Sequence, residues 1–236
     1  MFILSRIFVI YIMAAILPAL LLLVYIYNQD TVDKEPPNLL FHLLLMGVVA
    51  ALASIVLEQI GTTILNSFVS PENPAYVIFL AFLVVAVVEE GTKFYLLHRR
   101  TWKNPNFNYR FDAIVYAVFV SLGFAAFENI GYVFGYGITV APARALLAIP
   151  GHMSFAVFMG YFYGRAKLFF DYGDKEKSRT NLWLAYLSAV FLHGFYDSCA
   201  MIGSAGSTIV FVVFIILMYL AVYRMIKSES HTDAPV

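Results

Sequence analysis

Seven long apolar stretches, separated by short polar breaks, constrain this 236-residue chain more than any other feature. A helix that crosses the hydrocarbon core of a bilayer, about 30 Å thick, needs roughly 20 mostly apolar residues. The stretches reach that length approximately at Ile7–Tyr27, Leu39–Leu57, Ala75–Leu97, Ala113–Tyr136, Ala143–Ala166, Leu182–Gly203 and Thr208–Met225. They predict an all-α fold, a polytopic membrane helix bundle with about seven transmembrane helices.

The composition agrees with a chain that lies mostly in a membrane. Hydrophobic residues make up 61% of it and charged residues 13%, whereas soluble domains average about 25% charged residues. Basic and acidic residues balance at 15 each, so the charge does not favour nucleic acid as a partner. The single cysteine, Cys199, excludes an internal disulfide and a cysteine-clustered metal site. No linker is long enough for a second domain, so we expect residues 1–236 to form a single integral-membrane domain.

Positive charge predicts the direction in which the bundle crosses the membrane. Lys and Arg are frequent after the third, fifth and last spans, whereas the loops Glu58–Pro74 and Gly203–Ser207 have none. Cytoplasmic loops carry the excess of positive charge in membrane proteins. We therefore expect the N-terminus outside and the C-terminus in the cytoplasm, an arrangement that places Arg6 on the outer side.

Two pairs of glycines have the spacing that lets membrane helices approach each other closely. Gly131 and Gly135 belong to the fourth span, and Gly160 and Gly164 belong to the fifth. We expect both pairs to lie at contacts between helices.

Seven ionisable residues lie inside four consecutive spans, where such groups are costly and usually face a cavity or one another. They are Glu89, Glu90 and Lys93 of the third span, Glu128 of the fourth, His152 of the fifth, and His193 and Asp197 of the sixth. Lys93 is three or four residues from both glutamates, which suits a charge partner on the same helix. We expect the seven residues to converge on one site at the midplane or somewhat outside it.

The net charge of these seven ionisable residues favours a functional site. Four carboxylates and one lysine leave a net charge of about −3 if the histidines are neutral, which a low-dielectric interior does not easily hold. Carboxyls that keep protons would supply a general acid and base, and a divalent metal such as zinc would acidify a water. Proton hopping would make a transport pathway. A hydrolase, a proton- or ion-coupled transporter and a non-catalytic scaffold therefore all stay open at this point.

Several other polar residues fall at the predicted ends of spans. Glu58 and Gln59 follow the second span, and His42 lies near the start of that span. We interpret these three as interfacial residues outside the site.

Four linked motifs resemble the PrsW family of intramembrane proteases. They are Glu89-Glu90-Gly91-Thr92-Lys93, Gly123-Phe124-Ala125-Ala126-Phe127-Glu128-Asn129, Pro150-Gly151-His152 and His193-Gly194-Phe195-Tyr196-Asp197. Their order, spacing and host spans all agree with that family. The resemblance implies a multi-pass protease of the bacterial cell membrane with a catalytic core of approximately residues 75–205. It also implies cleavage of a membrane-spanning anti-sigma factor, or a similar single-span protein, near the outer side of the membrane.

Carried over by position, the resemblance makes the candidate catalytic residues Glu89, Glu90, Glu128, His193 and Asp197. We expect a water activated by one of the paired glutamates, with His193 polarising the scissile carbonyl or protonating the leaving amine. Glu128 and Asp197 would orient these partners. A zinc mechanism also stays open, with His152, His193 and Glu128 as candidate ligands. The related CAAX prenyl proteases have a histidine in the second motif where this chain has Glu128.

Overall fold

The protein is built from helices joined by short loops over the part of the chain that the structure describes. The structure is a computed structural model that describes residues 2–236, with side chains from Arg6 onward. The helices are α1 (Phe2–Gln29), α2 (Pro37–Phe68), α3 (Tyr76–Phe79), α4 (Val87–Thr101), α5 (Arg110–Tyr136), α6 (Ala141–Leu146), α7 (Ala148–Asp171), α8 (Lys175–Ile202) and α9 (Ala205–His231). A π-helical segment, Leu80–Ala86, joins α3 to α4 without a break. The predicted all-α bundle is confirmed.

Five helical segments are long and apolar enough to cross a membrane. They are Arg6–Gln29, Pro37–Phe68, Arg110–Tyr136, Ile138–Asp171 and Ala205–His231. The two other long helical segments are residues 76–101 and Lys175–Ile202, and these carry five of the seven ionisable residues of the predicted site. Their lower apolarity follows from these polar groups. The polytopic architecture is thus confirmed, and the placement of the N-terminus outside stays a prediction.

Two differences between the predicted spans and the observed helices change the surroundings of the site. Helix α2 continues to Phe68, well past the predicted end at Leu57. The predicted fifth span, Ala143–Ala166, is interrupted because the backbone turns at Leu147 (φ −116°, ψ −63°) between α6 and α7. Pro150 then lies in the first turn of α7, where a missing backbone N–H costs no helical hydrogen bond. Residues 137–147 thus form a connector that folds back along the end of α5.

Glycines let the central helix α5 contact its neighbours at backbone distance. A Cβ atom on Gly123 would lie 2.1 Å from the carbonyl oxygen of Leu44 in α2. One on Gly160 would lie 2.5 Å from the Cα atom of Ile114 in α5, which confirms that the second predicted glycine pair lies at a helix contact. The prediction fails for Gly131 and Gly135 within the described part of the chain, because none of its atoms lies within 4 Å of a Cβ there and this end of α5 is largely exposed.

The C-terminal segment ties one end of the bundle together. The backbone N–H of Arg110, at the start of α5, donates to the carbonyl of Ala234 over 3.1 Å, and that of Val236 donates to Asn108 over 3.0 Å. Tyr109 and Pro235 form an isolated antiparallel β-bridge. The ionisable residues lie nearer the opposite end, where α5 ends and α9 begins.

Candidate active site

The paired glutamates of α4 share one buried ammonium group. Glu89 and Glu90 are only 5% and 0% exposed. The Nζ atom of Lys93 lies 3.1 Å from Glu89 Oε2 and 2.8 Å from Glu90 Oε1, so Lys93 is the charge partner that the spacing predicted. The π-helical segment ends at Ala86, directly before α4. Such segments are frequent at functional sites, because an extra residue in the turn changes the direction of the side chains that follow.

His193 connects α8 to the glutamate pair. Its Nδ1 atom lies 2.8 Å from Glu90 Oε1, and its Nε2 atom lies 3.3 Å from Asp197 Oδ2. The contact between helices depends on Gly194, where a Cβ atom would lie 2.5 Å from the ring of Phe82 in the π-helical segment. The small residue lets α8 approach closely enough for the imidazole to reach Glu90.

His152 lies between Lys93 and Glu128. Its Nδ1 atom is 3.3 Å from Lys93 Nζ, and its Nε2 atom is 3.3 Å from Glu128 Oε2. An ammonium group can only donate, so Nδ1 accepts and the ring proton belongs on Nε2, which donates to Glu128. The hydroxyl of Ser121 also donates to the carbonyl oxygen of His152 over 2.9 Å, which holds this turn of α7 against α5.

All seven ionisable residues therefore belong to one network of contacts, as the sequence predicted. Four of them, Glu89, Glu90, His152 and His193, are buried and offer ligand atoms that lie within 4.8 Å of one another. Glu128 lies outside this group, although the sequence places it among the candidate metal ligands. Glu90 Oε2 is buried without a hydrogen-bond partner among the described residues. Imidazole nitrogen and carboxylate oxygen are ordinary zinc ligands, so this donor set fits a divalent cation.

A cavity of about 440 Å³ opens onto the network. Its polar lining residues are Glu58, Glu89, Glu128, Tyr132, Arg144, His152, His193, Tyr196 and Asp197. Glu90 does not line it. The two adjacent glutamates therefore differ in position: Glu89 faces the cavity, and Glu90 lies behind it against Lys93 and His193.

Sequence reasoning missed two charged residues of the cavity. The interpretation of Glu58 as interfacial is wrong, because α2 continues to Phe68 and places this carboxylate on the cavity wall. Arg144 lies in the connector, and its Nη2 atom is 2.6 Å from Glu128 Oε2. The one available signal was its isolation as the sole charged residue of a segment that is otherwise apolar.

Comparison with known proteins identifies the family. Residues 35–223 match the family described as "PrsW family intramembrane metalloprotease". The chain belongs to this family. Among its curated relatives, Protease PrsW of Clostridioides difficile is 34% identical over 209 residues, which cover 87% of this chain and 85% of the relative. Protease PrsW of Bacillus subtilis is 32% identical over 186 residues, which cover 78% of this chain and 79% of the relative. No solved structure matches the chain significantly.

Family membership decides between the functions that the ionisable residues left open. The protein is a membrane-embedded protease, and neither the transporter nor the scaffold finds support in the comparisons. The buried group of two glutamates and two histidines fits the metal that the family description implies.

Proposed function

We propose that this chain hydrolyses a peptide bond of a single-span membrane protein, such as an anti-sigma factor, near the outer side of the cell membrane. The observation that carries the proposal is the buried group of glutamates and histidines facing a cavity inside a bundle of membrane helices. Family membership supports the peptide-bond hydrolysis, and the expected orientation of the bundle supports the side of cleavage.

The different positions of the two glutamates support different roles. Glu89 faces the cavity, so it is the general base that takes a proton from the attacking water and passes it to the leaving amine. Glu90 lies behind it, is fully buried and contacts both Lys93 and His193. Its role is to hold the ion and to fix the orientation of His193.

The other residues of the network are either metal ligands or carboxylates that orient those ligands. Glu90, His152 and His193 would hold the ion, with His152 Nδ1 binding it in place of Lys93, and the bound ion would supply a Lewis acid for the water or the scissile carbonyl. Glu128 accepts from His152 Nε2, and Asp197 Oδ2 lies 3.3 Å from His193 Nε2, so each carboxylate contacts one imidazole ring and would orient it. Carboxylates in these positions normally orient histidine ligands.

The cavity also suits a substrate backbone that has left its helix. A peptide bond inside a transmembrane helix is shielded by the side chains around it, so cleavage requires local unwinding. Freed N–H and C=O groups are tolerated at membrane depth only where protein or water satisfies them. Glu58, Tyr132, Arg144 and Tyr196 line the cavity, and their polar groups would supply such partners.

The test is a cleavage assay in vesicles that contain the protein and a single-span substrate with a tagged outer domain. Glu89→Gln should lower the cleavage rate by about 10²–10⁴-fold while zinc remains bound, because only the base is lost. Glu90→Gln should lower both zinc content and cleavage. The matched control is Glu72→Gln, which changes an exposed carboxylate in the loop between α2 and α3.

Three results would contradict parts of the proposal separately. A wild-type cleavage rate in the Glu89→Gln variant would show that Glu89 is not the general base. Cleavage that continues after a chelator has removed all metal would show that Glu90 does not act as a metal ligand in the reaction. A product cut on the cytoplasmic side would overturn the proposed position of the cleaved bond.

A further inference from the structure

Arg144 lies on the connector between α5 and α7 and contacts the active site without touching the metal-ligand group. We propose that Arg144 is a positioning residue that fixes Glu128 in the orientation in which Glu128 holds His152. This inference rests on the proposed role of His152 as a metal ligand. It adds to the site a residue that none of the four sequence motifs contains.

The guanidinium group of Arg144 makes three contacts with successive turns of α5. Nη2 lies 2.6 Å from Glu128 Oε2, and Nε donates to Asn129 Oδ1 over 2.7 Å. The central carbon of the group lies 3.7 Å from the ring centre of Tyr132. A planar, always charged group with several donors can make all three contacts at once, which a lysine ammonium cannot.

Asn129 anchors this arrangement to the rest of the bundle. It is fully buried, and its side-chain amide donates to the carbonyl oxygen of Ala15 in α1 over 2.7 Å. The Nε atom of Arg144 is therefore fixed by a residue that cannot move without disturbing α1. The Nη2 atom on the same edge of the guanidinium group holds Glu128.

Glu128 passes this constraint on to His152. Its Oε2 atom accepts from Arg144 and from the Nε2–H of His152, which leaves His152 Nδ1 directed towards Lys93 and the glutamate pair. The Glu128 side chain is 25% exposed to the cavity, so it would have other rotamers available without Arg144. The arginine selects the rotamer that reaches the imidazole.

The test measures zinc affinity and cleavage kinetics of the purified full-length protein. Zinc affinity is read by competition with a chromophoric chelator. We expect Arg144→Gln to weaken zinc binding by about 10–100-fold, the usual effect of removing a residue that orients a ligand, and to lower kcat more than it raises KM. Arg144→Lys should recover part of the affinity, because it keeps the charge near Glu128 but loses the bond to Asn129.

A double variant separates positioning from a purely structural role. If Arg144 acts through Glu128, Arg144→Gln should have no further effect on zinc affinity in a Glu128→Gln background. The control is Arg165→Gln, which removes another arginine stacked on a tyrosine ring, 4.4 Å from Tyr161, far from the site. It should leave zinc affinity unchanged.

The outcomes distinguish this inference from the proposed function. Unchanged zinc affinity in folded Arg144→Gln, or additive losses in the double variant, would overturn the positioning role alone. Absence of zinc binding by the wild-type protein would overturn the proposed ligand set, and the role of Arg144 with it.

Discussion

Lys93 should contribute several kcal/mol to the stability of the protein when no metal is bound. Its side chain is 2% exposed and forms ion pairs with Glu89 and Glu90, whose side chains are 6% and 0% exposed. Substitution by Met keeps the approximate volume and removes the charge. Two adjacent buried carboxylates would then lose their common counter-charge.

The expected cost follows from this burial. Removing one partner of a buried ion pair destabilises a protein by about 3–5 kcal/mol, because the remaining charge is left without compensation. For a chain of this size, each kcal/mol corresponds to a change of about 2–4 °C in Tm. Lys93→Met should therefore lower the Tm of the metal-free protein by roughly 6–20 °C.

The assay is thermal unfolding of the purified protein in detergent, with and without zinc. The control is Lys167→Met, which breaks a more exposed ion pair with Asp171 and should cost at most about 1 kcal/mol. Zinc should raise the Tm of Lys93→Met more than that of the wild type, since the cation replaces the lost charge. A metal-free Tm of Lys93→Met equal to that of Lys167→Met would refute the reasoning.

Three further predictions concern packing, pH and the C-terminal segment. Gly123→Ala should destabilise the protein by about 1–3 kcal/mol, because the new Cβ atom meets the Leu44 carbonyl at 2.1 Å. Gly131→Ala, whose Cβ atom meets no described atom within 4 Å, should not destabilise it, and chemical denaturation compares the two variants. Burial raises the pKa of Glu35 from 4.5 to about 7. Between these pH values the folded state keeps a proton that the unfolded chain has lost. Stability should therefore fall as the pH rises from about 4.5 through 7. Glu35→Gln should therefore raise the Tm at pH 8 and leave it unchanged at pH 4, and equal shifts at both pH values would contradict this assignment. Asp233→Ala removes the acceptor of the Phe111 backbone N–H at the start of α5. It should lower the free energy of unfolding by about 0.5–2 kcal/mol in the same assay. No loss would mean that the C-terminal segment is bound only loosely.

The membership of the site could be predicted from sequence because burial of charge is costly at every position in a membrane. An ionisable side chain in an apolar span costs free energy unless it contacts a polar partner. The occurrence of such residues on neighbouring spans, among them Glu128, His152 and His193, therefore already favoured their convergence on one site. The spacing of Lys93 from the two glutamates also predicted the ion pairs correctly, since it depends only on helix geometry within one segment.

The missed residues depend on features that are not local. Glu58 lines the cavity because α2 extends beyond the end of its most apolar stretch, and polar residues at helix ends leave little hydropathy signal. Arg144 reaches Glu128 because the connector folds back along α5, which the continuous apolar pattern from Ala143 to Ala166 concealed.

The sequence by itself determined that the chain is a helical membrane protein with a polar cluster on four neighbouring spans. Hydropathy, residue spacing and the cost of buried charge act over a few turns of helix, so they can be read directly from the order of residues. Tertiary structure alone decided that Glu89 faces the cavity while Glu90 lies behind it. Adjacent residues on a helix always point in different directions, but which of the two faces the cavity depends on where the neighbouring helices pack around α4, and such contacts between distant segments exist only in the folded bundle.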